Sequence, residues 1–357
     1  MEILRILKEA VDAGAADVLL IGGLPVTFKI EDEIVRQGEE RLSPADTEKL
    51  VLGIYELAGG RNRKSLDEQG DDDFSFSVPG LSRFRVNAFF QRGSLAAVIR
   101  VVHFSLPDRT AIGIPDAVMA FANKHKGLVL VTGPAGSGKS TTLACLIDQI
   151  NRTRPVHIIT IEDPIEFLHR HAKGVVTQRE LSTDTQSYDR ALRAALRQSP
   201  DVILLGEMRD YETIRAAITA AETGHLIIST VHTLGASNTI DRVIDAFPPT
   251  QQQQIRVQLA ATLQGIVSQQ LIPGIRGGLV PAFEVLTVNG AVRNMIRESK
   301  LHQLEGVIQA GAKEGMITMD AYLAALVQEG KITAAAAVDA SENPERLAKR
   351  LGVPAAE

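Results

Sequence analysis

Three glycines, a lysine and two serines crowd into GPAGSGKS, residues 133–140. Glycines at 133, 136 and 138 let successive backbone N–H groups turn inward, and such a concave nest suits phosphate oxygens. An apolar run precedes the loop and another follows it. This pattern predicts a strand running into the loop and a helix whose positive end adds to the nest. Lys139 is then placed to reach β- and γ-phosphates, and Ser140 to hold Mg²⁺. Gly133, Pro134, Ala135, Gly136, Ser137, Gly138, Lys139, Ser140 and Thr141 are therefore candidate nucleotide contacts. The expected ligands are ATP and Mg²⁺.

Hydrolysis also needs carboxylates, one near the metal and one to orient water. HIITIEDPIEF (157–167) ends an apolar run at Glu162 and Asp163 and carries Glu166 beyond Pro164. DVILLGEMRD (201–210) ends another at Gly206 and Glu207. GHLIISTVHT (224–233) brackets a third run with His225 at its base and His232 at its tip, where a γ-phosphate sensor would sit. The remaining histidines, His103 among them, read as surface or core residues. Arg190, Arg193 and Arg197 fall at spacings of three and four, a basic helical stripe suited to solvent or to a subunit contact.

The elements that must position these groups follow from hydrophobic period. Runs at 128–132, 156–161, 202–205 and 226–231 are short, apolar and interrupted by helical segments, the pattern of an α/β fold with a parallel sheet covered on both faces. Such sheets collect ligands at the carboxyl ends of their strands. Upstream, helical spacing of Ile3, Leu7, Ala10 and Val11, an alternating VTFKIEDEIV, a Ser-capped SPADTEKLVLGIYEL and strands meeting at Gly93 predict a smaller α+β domain over 1–105. A linker at 106–116, an ATPase core at 117–290 and Ala-rich helices at 291–357 complete the expected organisation.

With 357 residues and 45% hydrophobic content, the chain can bury a substantial core. A formal net charge of −5, no Trp and 4% aromatics argue against a stacking groove for nucleic acid. Cys145 is the lone cysteine, so a four-cysteine zinc knuckle is excluded. NKHK (123–126) lacks the Asp of a guanine-reading motif and precedes the phosphate loop, so a GTP switch is not expected. The mixed-charge start and the absence of a long apolar run fit a soluble cytosolic protein.

Taken together, the phosphate loop, IEDPIEF, ALRAALRQSPDVILLGEMRD, TGHLIISTVHT and TIDRVIDAFP resemble the secretion ATPase superfamily, and within it the type IV pilus retraction ATPases (the PilT family). AVRNMIRE (291–298) is similar to that family's C-terminal retraction motif. The resemblance implies a hexameric ring of RecA-like P-loop domains, each preceded by a PAS-like domain. It implies Glu166 as general base, Glu207 as an atypical Walker B glutamate reaching Mg²⁺ through water, and His232 with His225 as a histidine box. Arg85 and Arg100, with Arg83, match arginines that reach phosphate across an interface. Partners implied are an inner-membrane pilus platform protein at its cytoplasmic face, indirectly pilin, and a second retraction ATPase; nucleic acid is not among them. An accessory retraction paralogue, a pilus-assembly or type II secretion ATPase and, from another class, a nucleic-acid translocase are the competing readings.

Overall fold

The computed structural model describes residues 3–30, 33–102 and 106–354, so His103 and residues 31–32 lie outside the described residues. The chain divides into two compact units, Met1–Ser105 with Ile165–Leu168, and Leu106–Pro164 with His169–Glu357.

The first unit runs α1 (Ile3–Asp12), β1 (Asp17–Leu20), β2 (Thr27–Ile30), β3 (Glu33–Arg36), α2 (Pro44–Leu57), α3 (Lys64–Gln69), β4 (Asp71–Val78), β5 (Ser82–Gln91) and β6 (Ser94–Val102). Its strands form one antiparallel sheet in the order β3-β2-β1-β6-β5-β4. The expected Ser cap of α2 is a capping box: Asp46 N donates to Ser43 Oγ, and Ser43 N donates to Asp46 Oδ2 at 2.8 Å. One face of the sheet buries Phe28, Phe84, Val86 and Ile99 in a core that also takes Ile6, Leu7, Leu50 and Ile54 from α1 and α2. Strand alternation turns Arg83, Arg85 and Arg100 to the other face. There Arg85 lies opposite Arg100, and Arg100 opposite Asp17.

The second unit continues with α4 (Asp116–Met119), β7 (Gly127–Thr132), α5 (Lys139–Thr153), β8 (His157–Glu162), β9 (Val175–Glu180), α6 (Tyr188–Ala195), β10 (Val202–Leu205), α7 (Tyr211–Glu222), β11 (Leu226–Val231), α8 (Ala236–Asp245), α9 (Pro249–Thr262), β12 (Leu263–Pro273) and β13 (Leu279–Thr287). It ends in α10 (Gly290–Arg297), α11 (Leu304–Ala310), α12 (Met319–Gln328), α13 (Ala334–Asp339) and α14 (Pro344–Leu351). The sheet order is β13-β12-β7-β11-β10-β8-β9, parallel except for β13. Burial on both faces is visible residue by residue. Leu128 and Leu130 join one apolar cluster, while Val129 and Val131 join the other.

Two features depart from the sequence expectation. β9, β12 and β13 extend the sheet beyond the four expected strands, because their polar residues mask the apolar period. The C-terminal helices also form no separate unit: Phe283 meets Tyr322 edge-on at 5.7 Å, and Val285 and Ile317 exchange backbone hydrogen bonds at 2.9 and 3.1 Å. These contacts continue the core through the boundary expected at 290.

That union buries a carboxyl. Glu284 of β13 accepts from Ala236 N at the start of α8 at 2.8 Å, and is 3% exposed. Glu342 lies against the same turn, its Oε1 2.6 Å from where a β-carbon on Gly235 would stand. Asp320 accepts from Glu342 N at 2.9 Å. Burial, then the charge of Glu342, pushes the Glu284 carboxyl up to about 7 from an ordinary 4.5. The folded state therefore holds a proton that the unfolded chain releases, so this group opposes folding increasingly as pH rises from about 4.5 to 7. Glu284→Gln is expected to raise stability at pH 8 by roughly 1–3 kcal/mol. The gain should vanish at pH 4.5, as read by denaturant unfolding at the two values.

Candidate functional site

β7 carries the chain into the phosphate loop at the carboxyl edge of the second unit's sheet. Gly133 has φ 143°, and a β-carbon there would stand 2.2 Å from the backbone oxygen of Gln269 and 2.6 Å from Ser137 Oγ. No side chain fits that approach. Gly138, at φ 84°, is the N-cap of α5, so the loop delivers its last residues onto a helix N-terminus as expected. Lys139 is 8% exposed, and its Nζ donates to Gly133 O at 2.9 Å and Pro134 O at 2.7 Å. Ser137 Oγ is buried beneath the loop with no protein partner, which suits an additional acceptor or donor from a phosphate-bearing ligand. Pro134, Ala135 and Gly136 are exposed, and Ser140 and Thr141 are half-buried on the first turn of α5.

Beside the loop opens a cavity of about 690 Å³, lined by Gly138, Thr141, Ile112, Leu271, Tyr322 and Lys331 among others. It is mostly apolar with a few polar groups at its phosphate-loop end, the character of a small-molecule site.

Glu207 and His232 come together as the strand ends predicted. Glu207 follows β10, His232 follows β11, and His232 Nε2 lies 3.3 Å from Glu207 Oε2. Arg209 Nε pairs with the other carboxylate oxygen of Glu207. The juxtaposition is fixed by Thr230: its Oγ1 donates to Gly206 O at 2.6 Å, and its carbonyl accepts from Met208 N at 3.0 Å. Since β11 lies between β7 and β10, Glu207 stands two strand spacings, about 10 Å, from the phosphate-loop strand.

The other candidates belong to other elements. His225 lies at the amino end of β11, where its Nδ1 is 3.1 Å from Ala220 O. The six residues of β11 keep it about 20 Å from His232, so the two histidines of the sequence motif do not share one rim. Glu166 belongs to Ile165–Leu168, the segment that packs with the first unit, where its charge acts on the Arg100 guanidinium. Arg100 Nε donates to Asp17 Oδ1 at 2.9 Å, and Arg83 Nη1 to Ser77 Oγ at 3.1 Å. Arg85 is exposed beside them. Arg193 is held by Asp189 at 2.9 Å, and α6 ends at Ala195, so Arg197 lies beyond the helix that would have aligned all three arginines.

Tyr188 is a site residue that the sequence did not disclose. Its hydroxyl lies 2.7 Å from where a β-carbon on Gly206 would stand. Burial, then the charges of Glu207, Asp163 and Glu162, pushes its phenol up, so it stays a neutral donor beside the carboxylate tips. Its only trace in the sequence is its place at the head of the arginine-bearing helix.

The chain is similar along nearly its whole length to known proteins of one family. The type II/IV secretion system protein family matches residues 5–309. A Pseudomonas aeruginosa protein named "Type IV pilus retractation ATPase PilT" is 44% identical over 347 residues, 97% of this chain and 100% of its own. A Neisseria gonorrhoeae "Twitching motility protein" is 47% identical over 321 residues, 90% of this chain and 85% of its own. A crystal structure of the pilus retraction motor PilT with bound ADP superposes with TM-score 0.88 at 48% identity, covering 98% of this chain and 99% of that one.

Thr230→Val tests what holds the Glu207 tip. Loss of the hydroxyl leaves the half-buried Gly206 carbonyl short of a donor, at about 1 kcal/mol. We expect the melting temperature to fall by a few degrees. Nucleoside triphosphate turnover should fall about tenfold, as measured by phosphate release, because Glu207 loses its register with His232.

Proposed function

This chain belongs to the type II/IV secretion system protein family and, within it, to the type IV pilus retraction ATPases; on that premise we propose that it is an ATP-hydrolysing motor that withdraws pilin subunits from a type IV pilus and so powers twitching motility. The observation that supports its chemistry best is the meeting of Glu207 with His232 on the sheet edge that also carries the Lys139 loop.

In this reading the loop amides and Lys139 hold the phosphates of ATP, and the apolar cavity beside Thr141 takes the nucleoside. Ser140 and Glu207 supply the hard oxygens for Mg²⁺, Ser140 directly and Glu207 through water. The metal, when bound, neutralises charge on the transferring phosphoryl group. Glu166 is the base that orients water, and His232 senses the γ-phosphate through its contact with Glu207. Arg85 or Arg100, with Arg83, supplies positive charge from the first unit of a neighbouring subunit. Such a charge accelerates hydrolysis only when docked, and this couples turnover to the geometry of a homohexameric ring.

The ring would act at the cytoplasmic face of the inner membrane on a platform protein; no helix among the described residues is long and apolar enough to cross a bilayer. A second retraction ATPase is a further expected partner.

Glu166→Ala and Glu207→Ala should keep native melting behaviour while losing at least about 100-fold in ATP turnover, roughly 3 kcal/mol of transition-state stabilisation. Strains carrying either variant should assemble pili but fail to retract them. Undiminished turnover in both variants would overturn the assignment. Strong stimulation of the wild-type ATPase by single-stranded DNA would instead favour a nucleic-acid translocase. Retraction that requires a second ATPase would favour the accessory role.

A further inference from the structure

Gln269 stands outside every motif read from the sequence, yet it touches the phosphate loop at both ends. It lies on β12, where Ser268 pairs with Thr132, the last residue of β7, so Gln269 meets the chain just as it enters the loop. Its backbone oxygen bounds Gly133. Its side chain then crosses to the far end of the loop. There Oε1 accepts from Thr142 Oγ1 at 2.7 Å, and Nε2 lies 2.8 Å from where a β-carbon on Gly138 would stand. Gln269 is 3% exposed and Thr142 is wholly buried, so the bond between them is shielded from water. Gln269, Gly138, Thr141 and Thr142 also share the lining of the 690 Å³ cavity. One residue thus bounds the first glycine with its backbone, and braces the last glycine and the first turn of α5 with its side-chain amide.

We propose that Gln269 is a positioning residue for nucleoside di- and triphosphates: by bracing Gly138 and Thr142 from β12, it fixes the angle between the phosphate loop and α5 and thereby sets nucleotide affinity. The inference rests on the nucleotide-binding reading of the loop. Its physical basis is that the phosphate-binding amides belong to the loop and to the helix start, two segments free to hinge at Gly138, whose φ of 84° gives no stiffness of its own. A hydrogen bond across that hinge removes the freedom before ligand arrives, and pre-ordering a site raises its affinity. Bracing of this kind holds ground state and transition state alike, so its loss appears in KM more than in kcat.

The experiment compares wild type, Gln269→Leu, Thr142→Val and the double variant. ADP affinity is read by calorimetry, and KM and kcat for ATP by phosphate release. Each single variant should weaken ADP binding and raise KM together by about tenfold, the scale of one buried hydrogen bond, with kcat changed less than threefold. The double variant should resemble either single one, because one bond has been removed twice. Unchanged ADP affinity and KM in Gln269→Leu, a fall in kcat alone, or additive losses in the double variant would overturn the proposal. If Gln269→Leu does not fold, Thr142→Val carries the same expectation and the same refutation from the helix side. Lys139→Ala separates this inference from its premise: if that variant binds ADP as wild type does, the nucleotide reading itself fails.

Discussion

The backbone oxygen of Gln269 lies 2.2 Å from where a β-carbon of Gly133 would stand, and the rest of the site depends on that close approach. β12 is pressed so tightly against the exit of β7 that only a residue without a side chain can occupy the turn. The loop has no freedom to lift off the sheet at its start, so its remaining residues must arch over α5. The same β12 pairs with β13, and β13 receives Tyr322 of α12. The phosphate loop is thereby tied, through backbone pairing and one aromatic contact, to helices almost two hundred residues downstream.

Strand spacing sets a second limit. Adjacent strands stand about 4.8 Å apart, so β7 and β10 cannot touch across the intervening strand. β11 is the physical link between phosphate loop and carboxylate. It pairs with β7 through its whole length, from Leu226 opposite Gly127 to Val231 opposite Thr132, and it grips the Glu207 turn through both polar groups of Thr230. His232 is the next exposed position along the same strand. A shift of the loop relative to β11 would therefore be felt at His232 and, through their 3.3 Å contact, at Glu207.

What the sequence disclosed is what local chemistry determines. The phosphate loop was legible because its glycines, lysine and helix start are contiguous. Glu207 and His232 were legible because a polar residue ending an apolar run marks a strand tip, and parallel strands put such tips on one edge. Gln269, Thr230 and Tyr188 were not legible. Gln269 meets Thr142 across 127 residues, Thr230 sits beside Ser229 inside a mostly apolar strand, and the phenol of Tyr188 reaches Gly206 from a helix that reads as a surface stripe. His225 was legible as the base of the strand whose tip is His232; their pairing as a histidine box came from the family resemblance alone. The C-terminal helices were legible as helices from their composition, but nothing in composition reveals that β13 supplies the surface they cover.

The arginine row of the first unit is held unevenly. Arg85 and Arg100 face each other on paired strands, and like charges so placed repel. Asp17 relieves Arg100 on its other side, yet the Arg100 side chain remains 65% exposed, where a single ion pair is worth about 0.2–1 kcal/mol. A phosphate carries more charge and more acceptors than a carboxylate and is matched in shape by the guanidinium fork. On the proposed reading, exchange of Asp17 for phosphate would quench the repulsion from Arg85, at the cost of leaving Asp17, whose side chain is 11% exposed, without its cation. Only the Arg100 end of the pair is solvated, so release of the arginine strands the Asp17 charge mostly away from water. Arg85, exposed on the paired strand, is therefore the easier of the two to commit to phosphate in the proposed ring.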